Sequence, residues 1–289
     1  MSGVTRADTD EFAKQKSFIE LSARRRAQML LDSGTFLELL DPFDRISSPW
    51  LPRQGIVPQS DDGAVIARGK IDGHPAVVLA IEGGFQGGSI GEVSGMKMAT
   101  ALELALADNQ QGIATRPVLL LETAGVRLQE ANLGLAVVAE IQASIIALRE
   151  YIPVVAVIAG MVGCFGGMAL SAALCSYVIM TRQGRLGMNG PEVIEQEAGI
   201  EEFDSADKQM IWSIDGGEQR YETGFADVLV NDDIAEMTAA VKQAFNRGLL
   251  KEHRSAQVER YLHLLAGIDT SNQVDPKRLR ELWKRTREL

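Results

Sequence analysis

Short apolar runs and helical patterns alternate through the middle of the chain. Runs at 118–121, 154–158 and 177–180 predict buried strands, and stretches with a period of 3.6 at 133–149 and 168–175 predict helices. Three such alternations require parallel strands with right-handed crossovers and covering helices. Ligand sites in folds of this kind lie at the carboxyl ends of the strands, so the segments that follow strands hold the candidate chemistry.

The flanking segments predict further elements. They are a helix at 10–32, an irregular proline-containing loop at 41–59, strands at 64–67 and 76–81, helices at 92–109 and 191–197, a last strand at 225–230, and helices at 234–245 and 256–265. Asp72-Gly73 between the two early strands is a hairpin signal. The tail at 277–289 is basic, which usually means a solvated helix face and alternatively a docking element for an acidic partner.

Composition narrows the class of protein. The 289 residues are 46% apolar and 24% charged, as in a globular protein, and the net charge of −10 argues against nucleic-acid binding. Pro153 and the glycine cluster at 160–167 interrupt the longest apolar stretch, which argues against a membrane span. Without a signal-like N-terminus, we expect a cytoplasmic protein with no membrane or nucleic-acid partner.

The cysteine and histidine residues show no spacing typical of a metal site. Cys164 and Cys175 lie in apolar sequence, which favours buried, reduced thiols. There is no CxxC pair, and the three histidines show no helical HxxxH spacing. We therefore predict no metal site.

The first glycine-rich turn spans 83–91, between a predicted strand and a predicted helix, and ends in Gly87-Gly88-Ser89-Ile90-Gly91. Glycines expose backbone N–H groups, and the helix N-terminus adds a positive dipole end, so the turn suits a phosphate or a thioester oxygen. Within this turn, residues 87–91 match GxSxG. They are therefore also compatible with a serine hydrolase that has Ser89 as nucleophile and His253 or His263 as base.

Two more glycine-rich turns directly follow neighbouring strands. One spans 122–130 and contains Ala124 and Gly125; the other spans 160–168 and contains Gly166 and Gly167. Such a pair supplies backbone donors that converge on one oxygen, which is an oxyanion hole. The chain has no GxxxxGK[ST] and no GxGxxG opening an early βαβ unit, so ATP and NAD binding are not indicated.

The order of these motifs resembles the carboxyltransferase branch of the crotonase superfamily. Residues 122–130, Glu-Thr-Ala-Gly-Val-Arg-Leu-Gln-Glu, look like its D-S-G/A-G-A-R-x-Q-E turn, and Phe165-Gly166-Gly167 look like its second glycine pair. Gly190-Pro191 begins a segment similar to its G-P-x-V-I-E-Q, and Gly87 begins a similar early turn. The resemblance spans 63–230. Glu122 and Ala124 depart from the family pattern.

Within that branch, the chain is most similar to the β subunits of biotin-independent malonate decarboxylases. It lacks the four-cysteine zinc ribbon of acetyl-CoA carboxylase β subunits, and it is too short to hold both crotonase halves. The resemblance implies an α/β fold, a crotonase-like spiral of ββα units with a parallel sheet and covering helices. It divides the chain into an N-terminal helix and loop (1–62), a carboxyltransferase domain (63–250) and a C-terminal helical extension (251–289).

The resemblance also implies an enzyme of several subunits. A crotonase-fold γ subunit would pair with this chain to decarboxylate a malonyl thioester on an acyl-carrier subunit, and an acyltransferase subunit would recycle the carrier. The carrier would bear a CoA-derived, phosphopantetheine-type group, while this chain would bind no cofactor and no biotin. The same motifs are compatible with a biotin-dependent carboxyltransferase subunit, and a non-catalytic scaffold subunit also stays open.

The predicted site follows from these turns. Gly125, with Ala124 or Val126, and Gly166 with Gly167 are the expected oxyanion donors. Contacts to substrate or carrier are expected at Gly87, Gly88, Ser89, Gly91, Val126, Arg127, Gly163, Gly190 and Pro191. Arg127 would hold a carboxylate or phosphate, or else form an internal ion pair with Glu122 or Glu130. Glu92, Asn189 and Glu192 lie near the turns, where surface or capping roles are expected.

Overall fold

The computed structural model describes residues 16–58, 62–269 and 275–286. Within these residues, seven strands form one sheet in which the spatial order follows the sequence order. The strands are β1 (Leu37–Leu39), β2 (Ala64–Ile71), β3 (His74–Ile81), β4 (Arg116–Leu120), β5 (Val155–Ile158), β6 (Tyr177–Thr181) and β7 (Val228–Val230). The strands β1 to β3 pair antiparallel, and β3 to β7 pair parallel, so the predicted parallel α/β core is confirmed.

Helices cover the parallel strands. They are α1 (Ala23–Leu30), α2 (Glu92–Gln110), α3 (Asn132–Leu148), α4 (Gly167–Leu174), α5 (Pro191–Ala198), α6 (Lys208–Asp215), α7 (Gly217–Glu222), α8 (Ile234–Arg247), α9 (Val258–Ala266) and α10 (Pro276–Thr286). The helix α3 packs between α2 and α4. Every residue of β4, β5 and β6 is buried, as expected for strands covered on both faces.

The hairpin between β2 and β3 turns at the predicted dipeptide. Asp72 and Gly73 have φ angles of 55° and 76°, so both are left-handed, as a two-residue type I′ turn requires. Ile71 pairs with His74 across the turn. This prediction is confirmed.

A second, shorter ladder runs beside the carboxyl ends of the strands. Isolated parallel bridges join Ile90 to Val126, Thr123 to Cys164, and Cys164 to Leu186. They tie together the segments that follow β3, β4, β5 and β6. The three glycine-rich turns are thereby held side by side, where ligand sites of α/β folds lie.

The predicted helix at 10–32 is confirmed only over Ala23–Leu30, since 16–22 and 31–32 are not helical. Positions 10–15 lie outside the described residues. A carboxylate far along the chain accepts the hydrogen bonds of backbone N–H groups in this segment. Asp232 accepts hydrogen bonds from Ser17 Oγ at 2.6 Å, and from the N–H groups of Phe18 and Ile19 at 2.8 and 2.9 Å. The segment before α1 is therefore held in a non-helical form.

Other differences are small. The last strand is limited to Val228–Val230, β1 was not predicted, and the described part of the loop at 41–59 contains short 3-10 turns at Pro42–Asp44 and Leu51–Gln54. The helices α6 and α7 were also not predicted, since 208–222 is polar and contains a glycine pair. Both thiols are buried, and burial raises the pKa of Cys175 to about 12.

The C-terminal helix docks through one aromatic residue. Trp283 is 2% exposed, and its ring centroid lies 5.7 Å from that of Tyr261 and 6.3 Å from that of Phe225. Lys277, Arg278 and Lys284 are exposed on the same helix, which agrees with a solvated basic face. Within the described ranges, no helix is both long and apolar enough to cross a membrane.

Candidate active site

The turns after β4 and β5 touch at their glycines. Gly125 has φ 110° and Gly166 has φ 61°, values that side chains rarely allow. A Cβ on Gly125 would lie 3.3 Å from Phe165 O, and one on Gly166 would lie 3.3 Å from Gly125 Cα. Backbone therefore meets backbone here, and the second and third turns form one continuous surface.

The hydrogen bonds decide which amides of this surface are available. Ala124 N–H donates to Gly87 O at 3.0 Å, and Gly166 N–H donates to Met188 O at 2.8 Å. Gly125 N–H donates to Thr123 Oγ1 at 3.0 Å. The amides of Ala124, Gly125 and Gly166 are thus used within the fold, which limits their expected role as oxyanion donors.

Two of the expected donor amides remain. No hydrogen bond from Val126 N–H or Gly167 N–H to another residue is found in the described part of the chain. Gly167 is the first residue of α4, where backbone N–H groups have no acceptor in their own helix. Val126 belongs to the bridge with Ile90. Both residues line the same cleft.

This cleft has a volume of about 930 Å³ and runs along the carboxyl ends of the strands. Its walls are mainly apolar, and Leu128 is 85% exposed at the rim. The lining residues are Ser48, Leu51, Ile56, Val57, Asp62, Gln86, Ser89, Val93, Ala124, Val126, Arg127, Leu128, Gln129, Glu130, Gly166, Gly167, Met188, Asn189, Gly190 and Val193. The volume is within the range of small-molecule and cofactor sites.

In the first turn, three of the backbone N–H groups expected to face an anion are used within the fold, which limits their expected role. Gly88 N–H donates to Phe85 O at 2.9 Å, Ser89 N–H to Gln86 O at 3.2 Å, and Gly91 N–H to Ser94 Oγ at 2.9 Å. Gly88 is also too close to backbone for a side chain, since a Cβ would meet Glu122 O. The glycines of this turn serve close packing against the second turn.

The N-terminus of α2 is also occupied. Glu92 N–H donates to Glu130 Oε2 at 2.6 Å, and Ser94 N–H donates to Asp62 Oδ2 at 2.5 Å. These two carboxylates take the place that a phosphate would need at the positive end of the helix. A bound anion at this helix end would have to displace them.

Arg127 forms an internal ion pair. Its side chain is 4% exposed, and Nη1 lies 2.5 Å from Asp62 Oδ1 and 2.8 Å from Glu130 Oε1. Its Nη2 also donates to Ser89 O at 2.9 Å. Of the two carboxylates expected as partners, Glu130 is one, and Glu122 instead pairs with Arg26. Burial raises the pKa of the Asp62 carboxyl, which Arg127 partly offsets.

The geometry does not favour a serine hydrolase. The Oγ of Ser89 accepts from Arg127 Nε at 3.3 Å, and an arginine cannot act as its base. His253 instead lies 3.9 Å from Glu150, and burial lowers its pKa. His263 is on α9, and no hydrogen bond joins either histidine to Ser89 within the described residues.

Some of the other expected site residues line the cleft, and others lie behind it and hold its backbone in place. Gly190 and Asn189 line the cleft, whereas Pro191 is buried at the start of α5. Gly163 lies behind the surface, where its carbonyl accepts from Thr123 N–H at 2.7 Å. Glu92 hydrogen-bonds to Ser48, which agrees with a capping or structural role.

One wall of the cleft was not predicted from the sequence. Ser48, Leu51, Ile56 and Val57 come from the irregular loop before β2, and Asp62 follows it. The only signal was the presence of apolar residues among the prolines of that loop. Within the described residues, no cluster of three or more His, Cys, Asp or Glu side chains is suited to hold a metal ion.

Comparisons with known proteins agree with this geometry. A family model described as the carboxyl transferase domain matches residues 15–252. The chain belongs to this family. A malonyl-S-ACP:biotin-protein carboxyltransferase of Malonomonas rubra is 40% identical over 283 residues, which is 93% of this chain and 89% of the relative. The malonate decarboxylase resemblance inferred from the motifs is therefore supported by a curated relative whose name gives malonyl-S-ACP as its substrate.

Solved structures extend the comparison. A chain of a Pseudomonas malonate decarboxylase hetero-tetramer in complex with malonate is 60% identical, with a TM-score of 0.91, over 95% of this chain and 100% of that chain. A Pseudomonas malonate decarboxylase hetero-dimer gives 54% identity and a TM-score of 0.75, over 88% and 98%. The transcarboxylase 12S core gives 26% and 0.63, over 83% of this chain and 43% of that chain. The predicted crotonase-like fold class is confirmed.

Proposed function

We propose that this chain is the β subunit of a malonate decarboxylase, which acts with a crotonase-fold γ subunit on a malonyl thioester carried by an acyl-carrier protein. The observation that supports this most directly is the pair of unused amides, Val126 and Gly167, on two touching turns at one cleft. The identity of 60% with a chain of the Pseudomonas enzyme supports the choice of substrate.

The reaction breaks the bond between the malonyl carboxylate and the α-carbon. The electron pair passes to the thioester, CO2 leaves, and the resulting enolate takes a proton at carbon to give the acetyl thioester. Two preorganised amides would stabilise the oxygen as its negative charge develops, without transferring a proton. Loss of one such donor typically costs on the order of 10²–10³ in rate.

The charges in the cleft suggest where the departing carboxylate lies. Among the described residues that line the cleft, Arg127 has the one cationic side chain, and it is neutralised by Asp62 and Glu130. The described part of this chain's cleft therefore offers a carboxylate no unpaired cation. We infer that this chain holds the thioester carbonyl, while the γ subunit contributes the surface around the carboxylate and supplies or admits the proton donor.

Partners and cofactors follow from the same proposal. The substrate would reach the cleft on the phosphopantetheine-type arm of the acyl carrier, and an acyltransferase subunit would reload the carrier with malonate. This chain would need no biotin and no cofactor of its own. The complex would work in the cytoplasm.

One observation supports a second candidate function, transfer of the carboxyl group to biotin. The Malonomonas rubra relative is named for transfer of the carboxyl group from malonyl-S-ACP to a biotin protein. Both reactions pass through the same enolate, so the same two amides would serve either one. In the second candidate reaction, the carboxyl group would be captured by biotin instead of leaving as CO2.

The test co-expresses this chain with its γ subunit and measures CO2 and acetyl-carrier formed from malonyl-carrier. Each subunit is omitted in turn, and Val126→Pro is compared with Val126→Ala in the complete complex. Activity that needs both chains and falls with the proline variant supports the proposal. Full activity in a folded Val126→Pro variant would remove this amide as a donor, and full activity in a folded variant that carries both Val126→Pro and Gly167→Pro would identify this chain as a scaffold.

A further inference from the structure

A second buried ion pair lies behind the two donor turns. The guanidinium of Arg26, on α1, donates to Glu122 Oε2, and the two side chains are 8% and 12% exposed. The same guanidinium donates through Nε to Phe18 O at 3.0 Å and through Nη2 to Ile19 O. The pair thus joins the N-terminal segment to the residue that begins the second turn.

The Glu122 side chain packs against two glycines that leave space for it. A Cβ on Gly83 would lie 2.8 Å from Glu122 Cγ, and a Cβ on Gly160 would overlap the carboxylate itself. Gly83 follows β3 and Gly160 follows β5, while Glu122 follows β4. The carboxylate therefore lies where the ends of three neighbouring strands meet.

The second carboxylate oxygen reaches the third turn. Glu122 Oε1 accepts a hydrogen bond from Val162 N–H at 3.3 Å. Val162 lies four residues before Gly166, and Glu122 lies four residues before Val126. One side chain thus spans the two turns that present the donor amides, and neither Glu122 nor Val162 is among the residues that line the cleft.

We infer that the Arg26–Glu122 ion pair is a positioning device, which sets the spacing of the Val126 and Gly167 amides and makes the N-terminal segment part of the working enzyme. A buried pair of this kind is not needed for stability alone, because well-packed apolar residues often serve as well. The pair does fix the orientation of the Glu122 side chain, because each oxygen of its carboxylate accepts from a different donor. Displacement of a catalytic group by about 1 Å can cost about 10²-fold in rate.

The inference rests on the proposed function, and its test separates the two. The complete complex carries Glu122→Gln, which keeps the shape of the side chain, or the double change Arg26→Met with Glu122→Met, which removes both charges together. Arg24→Met is the matched control, because Arg24 lies on the same helix and pairs with Glu38 near the surface at 2.5 Å. Unfolding midpoints show which variants are folded.

Two readouts are measured for each variant. The first is kcat and KM for CO2 release from malonyl-carrier. The second is exchange of the α-hydrogens of acetyl-CoA with D2O, which needs the same enolate stabilisation but no CO2. We expect Glu122→Gln to lower kcat and the exchange rate together by about 10-fold, with KM within about twofold of wild type, and Arg24→Met to change neither.

The outcomes are distinct. Wild-type kcat and exchange in either folded Glu122 variant would overturn the positioning role. A folded double variant with wild-type stability and reduced kcat would support it, because a purely structural pair would be rescued by apolar replacement. A wild-type complex that exchanges hydrogen without releasing CO2 would contradict the decarboxylase proposal, while the exchange rates would still report on positioning.

Discussion

The sharpest single perturbation of the site is Gly167→Pro. Gly167 is the first residue of α4, the helix position at which proline is best tolerated, so the substitution removes the N–H group with little cost to the helix. Gly166 before it has ψ −143°, outside the helical region that proline disfavours in its predecessor. The change deletes one proposed oxyanion donor, and its Cβ also requires a small shift of the Val138 side chain.

The expected magnitude follows from the loss of one preorganised donor. We predict that kcat falls on the order of 10²–10³-fold, which corresponds to about 2.7–4 kcal/mol of transition-state stabilisation, with a much smaller change in KM. Gly167→Ala is the control. Its Cβ would lie 2.9 Å from Val138 Cγ1, as would that of proline, but alanine keeps the N–H group.

The assay is steady-state decarboxylation of malonyl-carrier by the complete complex, with the unfolding midpoint recorded for both variants. The alanine variant should remain close to wild type in kcat. If the folded proline and alanine variants have equal kcat values, the Gly167 amide is not a donor, and the assignment of the oxyanion site to this turn fails.

Three further predictions concern stability and reactivity. Ala131 has φ 46° and ψ −119°, so Ala131→Gly should relieve strain and raise the free energy of unfolding by about 1 kcal/mol in urea denaturation; a lower value would contradict the backbone geometry. Iodoacetamide at about pH 8 should label neither Cys164 nor Cys175 in the native chain but both in urea, because burial raises the pKa of each thiol. Burial also raises the pKa of the Asp62 carboxyl, so the folded state binds a proton at this group at a higher pH than the unfolded state does. The contribution of Asp62 to the free energy of unfolding therefore increases as pH falls through the folded pKa. Relative to Asp62→Asn, the wild type should therefore gain unfolding free energy as pH falls from neutral towards 3.8, the ordinary pKa of an aspartate, and an unchanged difference would count against the raised pKa.

The parts of the fold that local pattern determines were predictable from sequence. Short apolar runs located β4, β5 and β6, and glycine at 125 and 166 marked turns whose backbones touch. These features depend on residues close together in the chain. The order of the motifs then led to the family, which the comparisons confirm.

The remainder depends on partners distant in sequence. Asp232 holds the segment around Phe18 out of the predicted helix across a separation of 214 positions. The hydrogen bonds from Ala124 N–H to Gly87 O and from Gly166 N–H to Met188 O likewise form only when the turns pack together. Sequence therefore indicated which turns matter, and three-dimensional contacts decided which amides within them are available.

The central claim is that malonyl-carrier loses CO2 on a cleft shared by this chain and its γ subunit, without biotin. The most direct test measures CO2 and acetyl-carrier from the purified complex in the presence of excess avidin. We expect equal amounts of the two products, at a rate that avidin does not change. Product formation that avidin abolishes, or that requires an added biotin protein, would contradict the claim and identify the chain as a biotin-dependent carboxyltransferase subunit.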